Sequence, residues 1–167
     1  QSQIPLLESV QIGAGATFVY QFTDNANGDD LSASSEDVGD ASYSVDLELT
    51  KEFDDYGTAF ILLEAGEGSG VEDELKVFSN VNFDATGGDS NAGVVETWYE
   101  QYWGEAALRF GKLDATYLID NNEYANDECT QFLGRIFRNN PAVQFPDNNA
   151  GIRIALMPNE YVGIESL

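Results

Sequence analysis

The stretch from Val10 to Phe22, VQIGAGATFVYQF, changes side-chain character at almost every step. Its even-numbered residues are all apolar, whereas the odd-numbered ones, apart from Val19, are glycine or polar. A period of two residues places alternate side chains on opposite faces of a β-strand. The segment therefore predicts a strand with one apolar face and one polar face.

The same alternation recurs between Ser42 and Phe53 and continues, less regularly, along the chain. It predicts six strands and the start of a seventh, at 10–22, 42–53, 58–67, 94–103, 106–113, 151–157 and from Tyr161 onward. The strand 94–103 has aromatic residues on both faces, and we place Glu96 and Glu100 on its polar, inner face. Tight turns alternate with long loops at 24–40, 68–93 and 114–150.

Composition narrows the classes of function. The 167 residues suit a single domain, and they include 30 acidic and 7 basic residues, a net charge of −23, and no histidine. So large an acidic excess argues against nucleic acid as a partner. A hydrophobic content of 43% predicts a folded chain. The single cysteine, Cys129, excludes an internal disulfide and is expected to be an inert thiol.

No catalytic or cofactor motif is present. Without histidine, the common catalytic dyads and zinc sites are lost, so we predict no enzyme activity and no cofactor. A pair of carboxylates acting as a glycosidase has no positive support. The segment Asp24–Asp30 is rich in acids and amides but lacks the spacing of an EF-hand loop, so no metal site is predicted.

Two all-β architectures fit the alternation of long and short connections. One is an antiparallel up-and-down transmembrane β-barrel, with short turns on one side of the membrane and long loops on the other. The other is an antiparallel β-sandwich in a soluble or surface-exposed protein that binds carbohydrate or calcium. The strand pattern favours the barrel.

A family resemblance adds to this reading between Arg109 and Ile154. The sequences RFGKLD (109–114), DNNEYANDE (120–128), TQF (130–132), NNP (139–141) and GIRI (151–154) resemble the carbohydrate-selective porins of Gram-negative outer membranes. The resemblance implies an up-and-down barrel of about 16 strands, of which this chain would form the N-terminal six to seven.

The resemblance also implies a location and partners. We expect a single porin barrel domain, of which 1–167 is a part, in the cell outer membrane, in contact with lipid. It would carry small hydrophilic solutes by passive diffusion, with sugars suggested by the family and cations by the charge. For its assembly we consider a homo-oligomer, such as a trimer.

The candidate pore-lining residues come from the third long loop and from three strands. General porins fold this loop into the barrel, and here it carries acids and arginines that would narrow the pore: Asp114, Asp120, Glu123, Asp127, Glu128, Arg135 and Arg138. Arg109 and Arg153 flank the loop and should stand opposite each other, facing the lumen. There they would confront the loop acids or form structural pairs with acids such as Asp114. Asp46 and Glu48 would form an acidic wall.

The second long loop contains a helix signal. Ser69 precedes Glu72 by three residues, as in a capping box, and Val71, Leu75 and Phe78 follow at helical spacing. A short helix that packs on the rest of the chain is predicted here.

Overall fold

A computed structural model describes residues 9–27, 37–84, 91–159 and 162–167. Within these residues the fold is all-β. Its seven strands are β1 (Val10–Phe22), β2 (Gly39–Phe53), β3 (Gly57–Glu67), β4 (Gly93–Trp103), β5 (Ala106–Leu113), β6 (Asn149–Asn159) and β7 (Val162–Ser166). One short α-helix, α1 (Ala115–Ile119), and two 3-10 turns at Gly70–Asp73 and Arg135–Phe137 lie between strands.

The seven strands form one antiparallel sheet in sequence order, from β1 to β7. This confirms the predicted antiparallel meander, and β1 and β5 have the predicted bounds. Strand β6 extends two residues beyond its prediction at each end, and Tyr161 lies outside the described residues. The sheet is not closed, because β1 pairs only with β2 and β7 only with β6 among the described strands.

One face of the sheet is apolar and exposed; we call it the outer face. Phe18 and Phe22 of β1 keep 73% and 74% of their surface accessible. Strand pairing continues this face across the sheet. Its other large exposed members include Ile12, Tyr20, Tyr43, Val45, Leu47, Ile61, Trp103, Phe110, Ile152, Ile154, Leu156 and Ile164.

The opposite, inner face is covered by loop segments. Ser42 and Ser44 of β2 are each only 1% exposed, because residues of the second long loop pack on them. Asn82 donates a hydrogen bond to the Ser42 hydroxyl (2.7 Å), and the Ser44 hydroxyl donates one to the Asp84 carboxylate (2.8 Å). The largest fully buried side chains among the described residues, Asn82, Ser42 and Ser44, are therefore all polar, unlike those of a soluble core.

The prediction of a helix after Ser69 is wrong in the length of the helix and in its capping residue. The structure has only the 3-10 turn Gly70–Asp73, and Ser69 makes no side-chain cap. The Glu72 carboxylate instead accepts hydrogen bonds from Asn80 (2.6 Å) and from the backbone of Val81 (2.9 Å). Val71 and Leu75 are buried with Val38, as the pattern indicated, but Phe78 is 93% exposed.

Gly111 of β5 marks a close approach between strands. It lies opposite Trp98 of β4, and its φ of +146° is one that other residues rarely adopt. A Cβ atom at this position would lie 2.6 Å from the Trp98 Cα and would overlap the Thr97 carbonyl oxygen. The glycine of the RFGKLD segment is therefore required by backbone packing.

Among the described residues, no helix is long and apolar enough to cross a membrane. Part of the acid- and amide-rich segment Asp24–Asp30 lies outside the described residues.

Candidate functional site

A cavity of about 520 Å³, which we call the inner cavity, lies between the inner face of the sheet and the third long loop. Six carboxylates and two arginines line it. They are Asp46, Glu48, Glu64, Glu96, Asp127 and Glu128, with Arg109 and Arg138. Six of the eight are predicted pore-lining residues, and Glu64 and Glu96 are additions to that set.

Strand register brings the acids of the sheet together. Asp46 of β2 lies opposite Glu64 of β3, and Glu48 lies opposite Leu62, which in turn faces Glu96 of β4. Neighbouring side chains across an antiparallel pair lie about 5 Å apart. No ion pair joins Asp46, Glu48 or Glu64 to a basic side chain in the part of the chain that is described.

The aromatic part of the cavity wall supports an arginine. Phe60 of β3 and Trp98 of β4 stack with their ring centroids 5.2 Å apart. The guanidinium of Arg109 lies 3.8 Å from the centroid of the Trp98 ring, which is within cation–π range. This contact holds the positive charge against the sheet.

Arg109 and Arg153 stand directly opposite each other in the sheet, as predicted. Both arginines form structural ion pairs, one of the two predicted alternatives, but with Glu100, at 3.1 Å and 2.9 Å, and not with Asp114. Arg153 also pairs with Glu165 of β7 at 2.5 Å. Two neighbouring arginines on β5 and β6 thus lie between an acid on β4 and an acid on β7, and we call this set the charge ladder: Glu100, Arg109, Arg153 and Glu165.

The third long loop uses several of its acids for its own backbone. Asp114 caps α1 by accepting from the Thr116 amide (2.8 Å). Asp120 accepts from the Asn140 amide (2.6 Å), and Asp127 accepts from the amides of Cys129 and Thr130 (both 2.8 Å). These carboxylates fix the path of the loop, which sequence alone did not indicate.

Glu128 and Arg138 form an ion pair within this loop at 2.6 Å. The Arg138 guanidinium also lies 4.9 Å from the centroid of the Phe83 ring in the second long loop, and that of Arg135 lies 5.2 Å from it. Burial raises the pKa of Glu128, while the positive charge of Arg138 opposes that rise. Phe83 therefore links Arg135 and Arg138, two of the predicted pore-lining residues, to the second long loop.

Cys129 connects the same two loops. Its thiol donates a hydrogen bond to Asp84 at 3.1 Å, on the carboxylate oxygen that also accepts from Ser44. Cys129 is an exposed residue, but partial removal of its thiol from water and the contact with Asp84 raise the pKa of the thiol to about 12, against the opposing effect of a hydrogen bond with Thr17. A thiol that stays protonated at neutral pH is a poor nucleophile, in agreement with the expected inert cysteine.

A second cavity of about 930 Å³, the outer cavity, lies among the loops. Of the predicted residues, Asp114, Glu128, Arg135 and Arg138 line it. Asp120, Glu123 and Arg153 line neither cavity. In the described part of the chain, no group of three or more acidic or cysteine side chains has a geometry that would hold a metal ion.

Sequence analysis missed Glu64, Phe60 and Trp98 as cavity residues. In β3, Phe60 and Leu62 share the inner face with Glu64, so the face is not recognisably polar. In β4, Trp98 shares the predicted inner face with Glu96 and Glu100, but because aromatic residues lie on both faces it was not included among the candidate site residues. The placement of Glu96 and Glu100 on the inner face is confirmed by their contacts with Trp98 (2.5 Å) and Arg109.

Comparison with known proteins adds little. No family model matches the chain, and no solved structure matches it. An uncharacterized protein of Aquifex aeolicus (strain VF5) is 45% identical over 51 residues, which are 30% of this chain and 16% of that protein. The match thus spans about a sixth of the relative's length, and its name indicates no activity.

Proposed function

We propose that the chain is part of an outer-membrane porin barrel through which small hydrophilic solutes, sugars or cations, diffuse passively. The observation that carries this proposal is the continuous exposed apolar outer face, from Phe18 on β1 to Ile152 on β6. Such patches on soluble monomers seldom exceed a few hundred Å². Lipid is the environment in which a whole sheet face of this kind is stable.

The inner face supports the second half of the proposal. Porin lumens are polar, and their third loop lies inside the barrel. Here the third long loop lies over the inner face, where its Glu128 and Arg138 share a cavity with Asp46 and Arg109. Arginine on the lipid face near the membrane centre costs about 2–4 kcal/mol, which agrees with the inward placement of Arg109 and Arg153.

The open edges of the sheet argue for further strands. In hydrocarbon, the backbone groups along β1 and β7 need hydrogen-bond partners, because water is absent. The described strands do not supply them. We assign the missing partners to additional strands of the same polypeptide, as in a barrel of about 16 strands; copies of this chain, as in a homo-oligomer, are the alternative source.

The soluble β-sandwich is the second candidate, but no observation favours it. A sandwich packs two sheets with their apolar faces together. The described strands form one sheet, and its apolar face has no second layer over it. A porin therefore explains the exposed face, while a sandwich leaves it unexplained.

Spin labels test the proposal in the full-length gene product reconstituted in phospholipid vesicles. Labels at Ala16 and Leu47 should be accessible to oxygen, which concentrates in lipid, and protected from a water-soluble nickel complex. A label at Glu48, which neighbours Leu47 but lies on the inner face, should show the reverse. Protection of Ala16 and Leu47 from both reagents would mean that protein covers the outer face, and would contradict the porin.

A further inference from the structure

One segment of the second long loop bridges the sheet and the third long loop. It consists of residues 80–84, and we call it the support segment. Towards the sheet, the Asn82 side chain donates to the Ser42 hydroxyl at 2.7 Å, and the Asp84 carboxylate accepts from the Ser44 hydroxyl at 2.8 Å. Asn82 is 0% exposed and Asp84 is 7% exposed. The support segment is therefore buried against β2.

The same segment bonds to the backbone of the third long loop. The Phe83 amide donates to the Leu133 carbonyl oxygen at 2.8 Å, and the Arg135 amide donates to the Asn80 carbonyl oxygen at 3.0 Å. The guanidinium groups of Arg135 and Arg138 lie 5.2 Å and 4.9 Å from the centroid of the Phe83 ring. Each loop thus both donates to and accepts from the other.

The middle of the third loop, residues 133–138, depends on these contacts. In the part of the chain that the structure describes, its hydrogen bonds go to the support segment or stay within the third loop. The third loop meets the strands directly at other places. Cys129 shares a hydrogen bond with Thr17 of β1. Near the end of the loop, the Asn148 side chain donates to the Val95 carbonyl oxygen at 3.3 Å.

The support segment is held without help from the third loop. The Glu72 carboxylate accepts from the Val81 amide at 2.9 Å and from the Asn80 side chain at 2.6 Å. The Gln21 side chain of β1 donates to the Val81 carbonyl oxygen at 3.5 Å. These partners belong to the sheet and to the second loop, so the dependence between the two loops runs in one direction.

We propose that the support segment is the positioning element of the third long loop: β2 holds the segment, and the segment holds residues 133–138 over the inner face. Detachment of the segment from β2 releases the middle of the third loop with it. Loss of the third loop's own contacts leaves the segment in place. This coupling goes beyond the proposed function and does not require that the chain forms a pore.

Amide hydrogen exchange in the purified full-length protein tests the coupling, because exchange rates report local opening. Ser42→Ala removes the acceptor of the Asn82 side chain, a contact between the sheet and the second loop. Exchange at the Phe83 and Arg135 amides should accelerate by the same factor, about tenfold for the loss of one buried hydrogen bond.

Asp120→Asn is the matched control. Asp120 accepts from the Asn140 amide at 2.6 Å, a bond made entirely within the third loop. The variant should accelerate exchange at Asn140 and leave Phe83 and Arg135 at the parent rates.

Arg135→Pro tests the direction of the coupling. Proline lacks the amide that donates to Asn80, and position 135 is the first residue of a 3-10 turn, a place that suits proline. Exchange at Phe83 should rise about tenfold, since its partner strand of the third loop is loosened. Val81, which bonds to Glu72 within the second loop, should keep the parent rate.

The outcomes are distinct. A parent-like rate at Arg135 in Ser42→Ala would overturn the proposal, because the third loop would then be held without the support segment. Equal acceleration at Val81 and Phe83 in Arg135→Pro would also overturn it, and this variant decides if Ser42→Ala unfolds the whole chain. A full-length protein that forms no channel would contradict the porin function and leave this test unaffected.

Discussion

Two halves of the inner face carry charge in opposite ways. Over β2 and β3, Asp46, Glu48 and Glu64 lie side by side with no ion pair to a basic residue in the described chain; we call this the acidic half. Over β4 to β7, the charge ladder matches two arginines with two acids, each arginine being ion-paired with an acid. The first arrangement leaves a net negative field for mobile ions, and the second cancels its own field and ties four strands together.

The largest effect is expected from removing the acid that both arginines share. Glu100→Gln leaves Arg109 without its carboxylate partner, in a site where the Arg109 side chain is only 14% exposed. Breaking a buried pair in this way costs about 3 kcal/mol. Urea unfolding in detergent, followed by tryptophan fluorescence, measures the free energy of unfolding.

Glu165→Gln is the control for that experiment. The Glu165 side chain is 42% exposed, and among the described residues its ion pair is with Arg153, so its loss should cost less than about 1 kcal/mol. Equal losses for the two variants would show that Glu100 does not organise the ladder.

Cys129 shares the inner cavity with the acidic half, and its thiol lies against Asp84 and feels the charge of Glu128. With a pKa near 12 it should react with iodoacetamide at pH 8 roughly 40-fold more slowly than an ordinary thiol, after allowing for the higher reactivity of its thiolate. Mass spectrometry measures the rate. The reference is Tyr124→Cys in a Cys129→Ser background, since Tyr124 is an exposed residue of the same loop.

A second variant separates burial from charge at Cys129. Asp84→Asn removes a carboxylate that raises the pKa of the thiol, so it should accelerate the reaction, though not to the reference rate, since the partial removal of the thiol from water remains. A parent thiol that reacts as fast as the reference would contradict the environment described here.

Ion selectivity should depend on the acidic half and not on the ladder. The full-length pore should prefer cations, and Asp46→Asn with Glu64→Gln should lower the cation-to-anion permeability ratio by about two- to three-fold. Glu100→Gln with Arg109→Gln removes one charge of each sign and should leave the ratio unchanged. Reversal potentials under a salt gradient measure the ratio, and an anion-selective parent would refute the charge argument.

The smallest effect is expected from one acid of the acidic half. Asp46 faces Glu64 across the β2–β3 pair, and like charges in this position destabilise a sheet by about 0.5 kcal/mol. Asp46→Asn should therefore raise the free energy of unfolding slightly, whereas Asp55→Asn, in the exposed β2–β3 turn, should not change it. A clear loss of stability in Asp46→Asn would mean that the carboxylate has a stabilising partner.

The strands were predictable because their signal is local. The alternation of side chains predicted the first and last residues of β1 and β5 correctly. The similar distance of Arg109 and Arg153 from the loop between them predicted that the two residues pair. Because side chains alternate between the two faces of a strand, a shift of one residue would exchange those faces. Strand predictions of this kind are therefore robust where one face is apolar.

The ion pairs and loop contacts were not predictable in the same way. The choice of Glu100 over Asp114 as the arginines' partner depends on the register between β4 and β5, which aromatic residues on both faces of β4 concealed. The capping box at Ser69 failed because Asn80 and Val81 offered Glu72 better donors from farther along the chain. Closure of the barrel, its membrane location and the solute remain predictions.

Gly111 constrains how this protein can evolve. Because a side chain at this position would collide with the backbone at Thr97 and Trp98, substitution at 111 requires β4 and β5 to move apart. That movement would shift Trp98, and with it the surface on which the Arg109 guanidinium rests. Substitutions at Trp98, Arg109 and Gly111 are therefore coupled. Homologous chains that keep the aromatic wall of the inner cavity should vary at these three positions together or at none of them.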